Sequence, residues 1–242
     1  MTSARIEEVN ALDLNVTQRA WPFAKAEAKR IADHWQERIA AKPRLFNGRV
    51  LMLGRHAIER GHEGNLFRGE YFETDFAAFL AWRDFNYPDP DVANAFAMAA
   101  LIGADGGYLV GEMAPHTANA GKVYFAAGTP DPEDIFAGKV DLTASALREL
   151  GEETGVQPHE VAFGTSWTLV YAPPRIAFLK IMRLAEPAET AKARIEAFLA
   201  KDAEAELCAI HVVRRPRDVD RQRTPAFLAS FFDFAFAQRS VG

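Results

Sequence analysis

One stretch of the chain combines residue types and spacings that could do chemistry: Arg148-Glu149-Leu150-Gly151-Glu152-Glu153-Thr154-Gly155-Val156. Glu149, Glu152 and Glu153 stand at i, i+3 and i+4, which makes them neighbours on a helix surface. With Glu149 at the centre of a face, the other two fall within roughly 60° on either side of it. Three like charges packed this closely repel one another, and no Lys is interleaved with them. One reading is a solvated, salt-bridged surface helix. The other is a site for a hard cation, Mg²⁺ or Mn²⁺, held by a few carboxylates together with waters and a substrate phosphate. Arg148 stands i, i+4 from Glu152 and can pair with it or hold the preceding loop. Thr143, Leu147 and Leu150 lie on a different side and can face a core.

The elements that must position these acids follow from local signals. Asp141 can cap a helix over 142–154, and Gly155 fits the left-handed position that ends it. Upstream, 94–102 reads as a buried apolar strand, 104–107 as a hairpin turn and 108–111 as the return strand. A short strand at 123–125 precedes an irregular loop, 128–138, rich in Pro and Asp. Downstream, 162–170 and 175–184 form a strand pair around a turn at 172–174. A helix over 190–200 and a strand over 207–213 follow. Thr224 and Pro225 open a last helix. Its Phe227, Leu228, Phe231, Phe232, Phe234 and Phe236 are too apolar to be exposed all round, so it docks on the chain or dimerises.

Before residue 90 the signals are a helix over 23–41 stopped at Pro43, strands at 50–53 and 66–72, and a helix over 76–83 capped by Thr74-Asp75. The breaker cluster at 86–91 is the best candidate boundary. Mixed strands and helices with hairpins give an α/β (α+β) class, a mixed sheet flanked by helices. The division expected is a helix and small-strand extension over 1–90 and a main domain over 91–242.

Composition narrows the function classes. The chain is 49% hydrophobic over 242 residues, enough for one large domain or two small ones. A formal net charge of −5, with no Lys/Arg run that suggests a phosphate stripe, argues against a nucleic-acid partner. No run approaches the roughly 18 apolar residues of a membrane span, and the first fifteen residues do not read as a secretory signal. A cytoplasmic location is the default expectation. Cys208, the one cysteine, precludes an intrachain disulfide and reads as a small buried residue at a strand edge.

The nine residues from Arg148 to Val156 resemble the second half of the Nudix box, REUxEExGU with U aliphatic, at every specified position. The first half is looser. Phe125-Ala126-Ala127-Gly128 resembles the family's Phe-Pro-Gly-Gly, with Ala127 in place of a glycine, and Asp134 stands where an acid follows six residues on. The stretch from Asp134 to Arg148 carries a six-residue insertion around 135–140 relative to the family pattern. The resemblance implies a Nudix-type α/β/α sandwich with a mixed sheet over 91–242, and metal-dependent hydrolysis of the pyrophosphate in a nucleoside diphosphate linked to another moiety. It implies that Glu152 and Glu153 ligate Mg²⁺ or Mn²⁺, that the Gly128 carbonyl completes the site, and that Glu149 binds metal or accepts a proton from the attacking water. Arg148 would orient Glu149 or the loop. The altered loop leaves a different class open, a catalytically silent Nudix-fold module that binds or senses a nucleotide.

Some family members add a distant acid from a later loop, and Glu206, with Glu204 behind it, is the candidate here. His116 and Lys122, just upstream of the box, could contact a substrate phosphate. The remaining histidines show no metal-ligand spacing with each other or with Cys208, and no G-x-S-x-G or P-loop pattern is present. For the substrate, 121–134 resembles the G-x-V-x-F-P-G-G-x-x-D run of coenzyme A diphosphatases, though Val110-Gly111-Glu112-Met113 stands where Arg is expected. Residues 45–48 and 71–80 resemble Nudix proteins that act on UDP-sugars. The partner expected is a small nucleoside diphosphate derivative of coenzyme A, sugar or nucleotide type, with no nucleic acid, no membrane and a possible homodimer.

Overall fold

The computed structural model describes residues 4–43, 45–117 and 119–239. The chain opens with β1 (Arg5–Val9) and β2 (Ala11–Thr17), then α1 (Pro22–Ala26) and α2 (Ala28–Ala41), split at Glu27. A long hairpin follows, β3 (Arg49–Gly61) and β4 (Gly64–Asp75), then α3 (Phe76–Asp84). Both strands run well beyond the 50–53 and 66–72 that their apolar residues mark, because the outer halves pair backbone to backbone with exposed polar side chains. Asp75 sits at the start of α3 without capping it. The Asn47 carboxamide accepts from Ala77 N at 2.7 Å instead, while Asp75 and Glu73 pair with Arg49.

After the breaker segment come β5 (Asn94–Ile102), β6 (Tyr108–Met113), β7 (Val123–Tyr124) and β8 (Ala127–Gly128). The loop expected to be irregular contains a 3₁₀ turn, Pro132–Asp134, and a small hairpin, β9 (Ile135–Phe136) and β10 (Lys139–Val140). Ala137 and Gly138 turn it with positive φ of 49° and 78°. Then come α4 (Leu142–Thr154), β11 (Val161–Ala162), β12 (Trp167–Ala172), β13 (Arg175–Leu184), α5 (Ala188–Leu199), β14 (Leu207–Val213) and α6 (Ala226–Arg239). The strand expected over 162–170 is two pieces, with β12 beginning only at Trp167.

The strands make two mixed sheets among the described residues. The larger runs β1-β12-β13-β5-β6-β14, with β13 and β5 parallel, and β7, β8 and β11 on its flanks. The smaller runs β3-β4-β2-β10-β9, with β2 and β4 parallel. The first strand of the chain therefore pairs with β12 of the main sheet, and the inserted hairpin pairs back onto β2.

Alternation along β5 divides the core. Ala95, Ala97, Ala99 and Leu101 face α4, α5 and the smaller sheet; Met98, Ala100 and Ile102 face α6. The fold class is the expected α/β sandwich with a mixed sheet. The apolar side of α6 is covered by the chain itself, with Leu228, Phe231, Phe232 and Phe236 buried against Tyr108 and Phe125. A third core, around Trp21, Phe72, Phe79 and Trp82, joins α1, α2 and α3 to the far face of the smaller sheet. Among the described residues no helix is long and apolar enough to cross a membrane. Cys208 is exposed rather than buried. It sits where a bulge between Leu207 and Ala209 breaks the alternation of β14 and turns its side chain outward.

Candidate metal centre

The site is built on α4. Asp141 Oδ1 accepts from Thr143 N at 2.9 Å and Ala144 N at 3.0 Å, which satisfies two of the free amides of the first turn. Gly155 closes the other end in the left-handed region at φ 72°. Leu142, Ala146 and Leu150 are buried under β5 and fix the rotation of the helix.

That rotation does not leave the three acids equivalent on one solvated face. Glu152 points out, with 60% of its side chain exposed. Glu149 is largely buried, and Glu153 lies on the Leu150 side with only 7% of the residue exposed. A residue at i+4 from Glu149 shares its face but is also at i+3 from Leu150, so the apolar stripe takes it inward.

Glu153 meets the loop before the helix. Its Oε1 accepts from Ala127 N at 3.2 Å, while its Oε2 is buried with no hydrogen-bond partner. An unmatched oxygen on a buried carboxylate is costly unless a proton or a cation takes it. Burial, countered by the Ala127 amide and reinforced by the charges of Glu149 and Glu206, pushes Glu153 up to about 8. Burial also raises Glu149 to about 7, although Arg148 pulls it the other way. Gly128 is the point of closest approach: a Cβ there would stand 2.1 Å from Glu149 Oε1, so only glycine lets the carboxylate lie against this backbone.

Arg148 is the clamp. Its Nη2 donates to both oxygens of Asp134, at 3.3 and 3.2 Å, and its Nη1 stands 3.0 Å from Glu149 Oε1 and 3.4 Å from Glu152 Oε2. Asp134 is 4% exposed and receives Asp131 N at 3.1 Å, so the charge partner of Arg148 is locked into the 3₁₀ turn. The insertion leaves this turn in place because it is spent on the β9–β10 hairpin, and Asp141 N returns to the Asp134 carbonyl at 2.8 Å.

Glu206, exposed just before β14, lies close enough for its charge to raise both Glu149 and Glu153; its carbonyl accepts from Ala114 N at 2.8 Å. Glu204 forms the preceding turn, its amide donating to Asp202. His116 and Lys122 are exposed and make no hydrogen bond or ion pair with the carboxylates. Tyr124 is the neighbour that motif reading missed. Burial and the charges of Glu153 and Glu206 push its hydroxyl up to about 12, and it accepts from Asn119 Nδ2 at 3.1 Å. Strand alternation carries the signal, since Val123 and Phe125 both face α6 and Tyr124 must face the other way.

Among the described residues, no three His, Cys, Asp or Glu side chains close on one point as a self-sufficient metal cage. The residues present nevertheless fit a hard cation of the Mg²⁺ kind, which takes one or two carboxylates and completes its shell with waters and substrate phosphate. The buried, unmatched Glu153 Oε2 is the observation that makes the fit.

The family model described as the NUDIX domain matches residues 93–226. That span holds β5 to the start of α6, including the whole site. Among solved structures, a MutT protein from Methanosarcina mazei Go1 is 16% identical, with a TM-score of 0.40 over 61% of this chain and 95% of that one. A mutT/nudix family protein from Listeria innocua is 16% identical, with a TM-score of 0.43 over 63% and 96%. A Nudix hydrolase from M. smegmatis is 15% identical, with a TM-score of 0.40 over 61% and 86%. No curated protein matches the chain.

Proposed function

The chain belongs to the Nudix hydrolase family, and from that premise we propose that it cleaves, with Mg²⁺ or Mn²⁺, the pyrophosphate of a nucleoside diphosphate linked to another moiety. The observation that carries this reading is Glu153, a buried carboxylate with one oxygen unmatched, beside a second raised carboxylate on the same helix. Stacking acids into low dielectric is unfavourable without a cation.

Glu152, Glu153 and the Gly128 carbonyl would hold the cation, with Glu206 as the acid from a later loop. When bound, the cation neutralises the charge of the diphosphate and orients it. The rest falls to the chain's own groups. Glu149, raised to about 7, accepts the proton of the attacking water near neutral pH. Arg148 holds the Glu149 carboxylate at 3.0 Å and is itself held by Asp134, so the base is tied to the loop that carries Gly128. Phosphoryl transfer asks mainly for such positioning and charge neutralisation.

The test is a screen of coenzyme A, UDP-glucose and nucleoside triphosphates with Mg²⁺ and with Mn²⁺, on the natural chain and on Glu152→Gln. Glu152 is exposed, so this change should leave the fold intact. Turnover of the best substrate is expected to fall on the order of 10²-fold or more. Turnover equal to that of the natural chain would overturn the reading. Ligand-dependent melting shifts without product from any substrate would favour a silent binding module.

A further inference from the structure

A second polar site lies between the smaller sheet and the start of β5. Leu53 and Ala93 are bridged by two backbone hydrogen bonds, at 3.0 and 2.8 Å. Past that bridge the chains part, and the register of β3 shifts between Leu53 and His56. The gap is an open cavity of about 790 Å³ lined by Arg19, Arg55, His56, Glu70 and Asp91, with the 90–93 segment along one side. That volume is in the range of small-molecule sites.

The lining is charged and, among the described residues, unmatched. Arg19, Arg55, Glu70 and Asp91 make no ion pair, although both signs face the same space. Elsewhere the chain pairs its arginines freely: Arg49, Arg68, Arg214 and Arg223 each hold two carboxylates. Two of the lining groups are fixed by packing. The Arg19 guanidinium lies 5.2 Å over the Phe72 ring and occupies the space beside Gly54, where a Cβ would stand 2.6 Å from its Nη1. The His56 ring is stacked on Phe67 at 5.6 Å and Tyr171 at 6.1 Å, and its Nδ1 lies 3.2 Å from the Gly54 carbonyl, which leaves Nε2 for a ligand.

We propose that this cavity binds a sugar phosphate group. Arg19 and Arg55 receive the phosphate, and Glu70 and Asp91 accept from sugar hydroxyls. Guanidinium forks suit phosphate oxygens, and carboxylates kept apart from those forks suit hydroxyl donors. The cavity is also placed to serve the carboxylate site. From Ala93, just before β5, to Ala97 within it is four residues, roughly 13 Å at strand rise, and Ala97 pairs with Gly128. The far half of a nucleoside diphosphate derivative can span that distance, and this link rests on the function proposed above. A separate phosphorylated ligand would use the same chemistry.

The experiment uses the full chain in EDTA and measures binding of glucose 1-phosphate and of adenosine 5′-monophosphate by titration calorimetry. Either probe should bind the natural chain, and Arg19→Gln/Arg55→Gln should weaken it at least tenfold. The exposed Arg55→Gln alone should give part of the loss without risk to folding. A natural chain that binds neither probe, or a folded double variant with unchanged affinity, overturns the proposal. Glu152→Gln should bind both probes as the natural chain does, which keeps this test separate from the test of hydrolysis. Two arms then identify the source. A tenfold rise in KM of the double variant at constant kcat assigns the cavity to the far half of the substrate. Lost probe binding with unchanged KM assigns it to a separate ligand.

Discussion

Two carboxylate sites lie on the same core and end in opposite states. On β6, Glu112 Oε2 accepts from His211 Nε2 at 2.8 Å and Arg223 Nη1 at 2.7 Å. The His211 hydrogen bond, and the Arg223 pair behind it, hold Glu112 below the usual carboxylate range. On α4, Glu153 has one amide donor and no cationic partner, and burial raises it to about 8. By composition the Glu-His-Arg set looks the more catalytic of the two. By charge balance it is closed, since each group is matched by another. The carboxylates of α4 are left with a deficit that only a proton or a cation can fill. Unmatched charge, rather than the residue types present, is what makes α4 the candidate site of the two.

The strongest way to break this contrast is Glu149→Gln. If Glu149 takes the proton, kcat should fall about 10²–10⁴-fold, while the metal-free melting temperature holds or rises because a carboxylate costly to bury has been neutralised. Initial rates with Mg²⁺ and a melt in EDTA read both quantities. A variant that melts lower with unchanged kcat would make Glu149 a structural partner of Arg148 and put α4 in the same class as the Glu112 network.

Much of the α4 site is legible locally and part is not. Asp141, Gly155 and the acid spacing mark the ends of the helix and the carboxylates it carries, because capping and i, i+4 neighbours are short-range matters. The depth of each acid is not local. Spacing puts Glu152 and Glu153 on one face, and only the packing of Ala146 and Leu150 under β5 shows that one is buried and the other exposed. The pairing of β1 with β12 spans more than 150 residues and has no local signature. The β9–β10 hairpin is too short for periodicity, and it forms because β2 offers it a backbone partner. The bulge that exposes Cys208 is equally invisible, since alternation is read on the assumption that it is unbroken. The cavity beside Arg19 draws residues from four separated segments and leaves no motif at all.

A smaller effect sharpens the comparison through pH. Glu149 and Glu153 have folded values of about 7 and about 8, above the ordinary 4.5. Between those limits the folded chain holds protons that the unfolded chain has released, so stability falls as pH rises. Metal-free protein is therefore expected to lose melting temperature from pH 5 to pH 8, with about 2–4 °C for each kcal/mol in a chain of this size. Mg²⁺ should restore the loss at pH 8 and do little at pH 5, where the acids are protonated. Glu112 has the opposite sign: its lowered value contributes stability that is lost only as pH falls below the ordinary range. A flat or rising profile in EDTA from pH 5 to pH 8 contradicts the charge deficit assigned to α4.

The smallest effect comes from opening the balanced cluster. Glu112→Gln removes the negative charge facing His211 and Arg223, whose side chains are 37% and 39% exposed, and leaves one amide oxygen to accept. Water can solvate both once the charge is gone, so the cost is only that of a solvent-screened surface network. The melting temperature should drop by no more than roughly 2–4 °C, with kcat and KM for the best substrate unchanged. The same neutralisation, Glu to Gln, is thus expected to cost stability without rate on β6 and rate without stability on α4. If Glu112→Gln instead lowered kcat by tenfold or more while the fold melted normally, the matched cluster would be part of the reacting machinery, and charge balance would no longer tell the two regions apart.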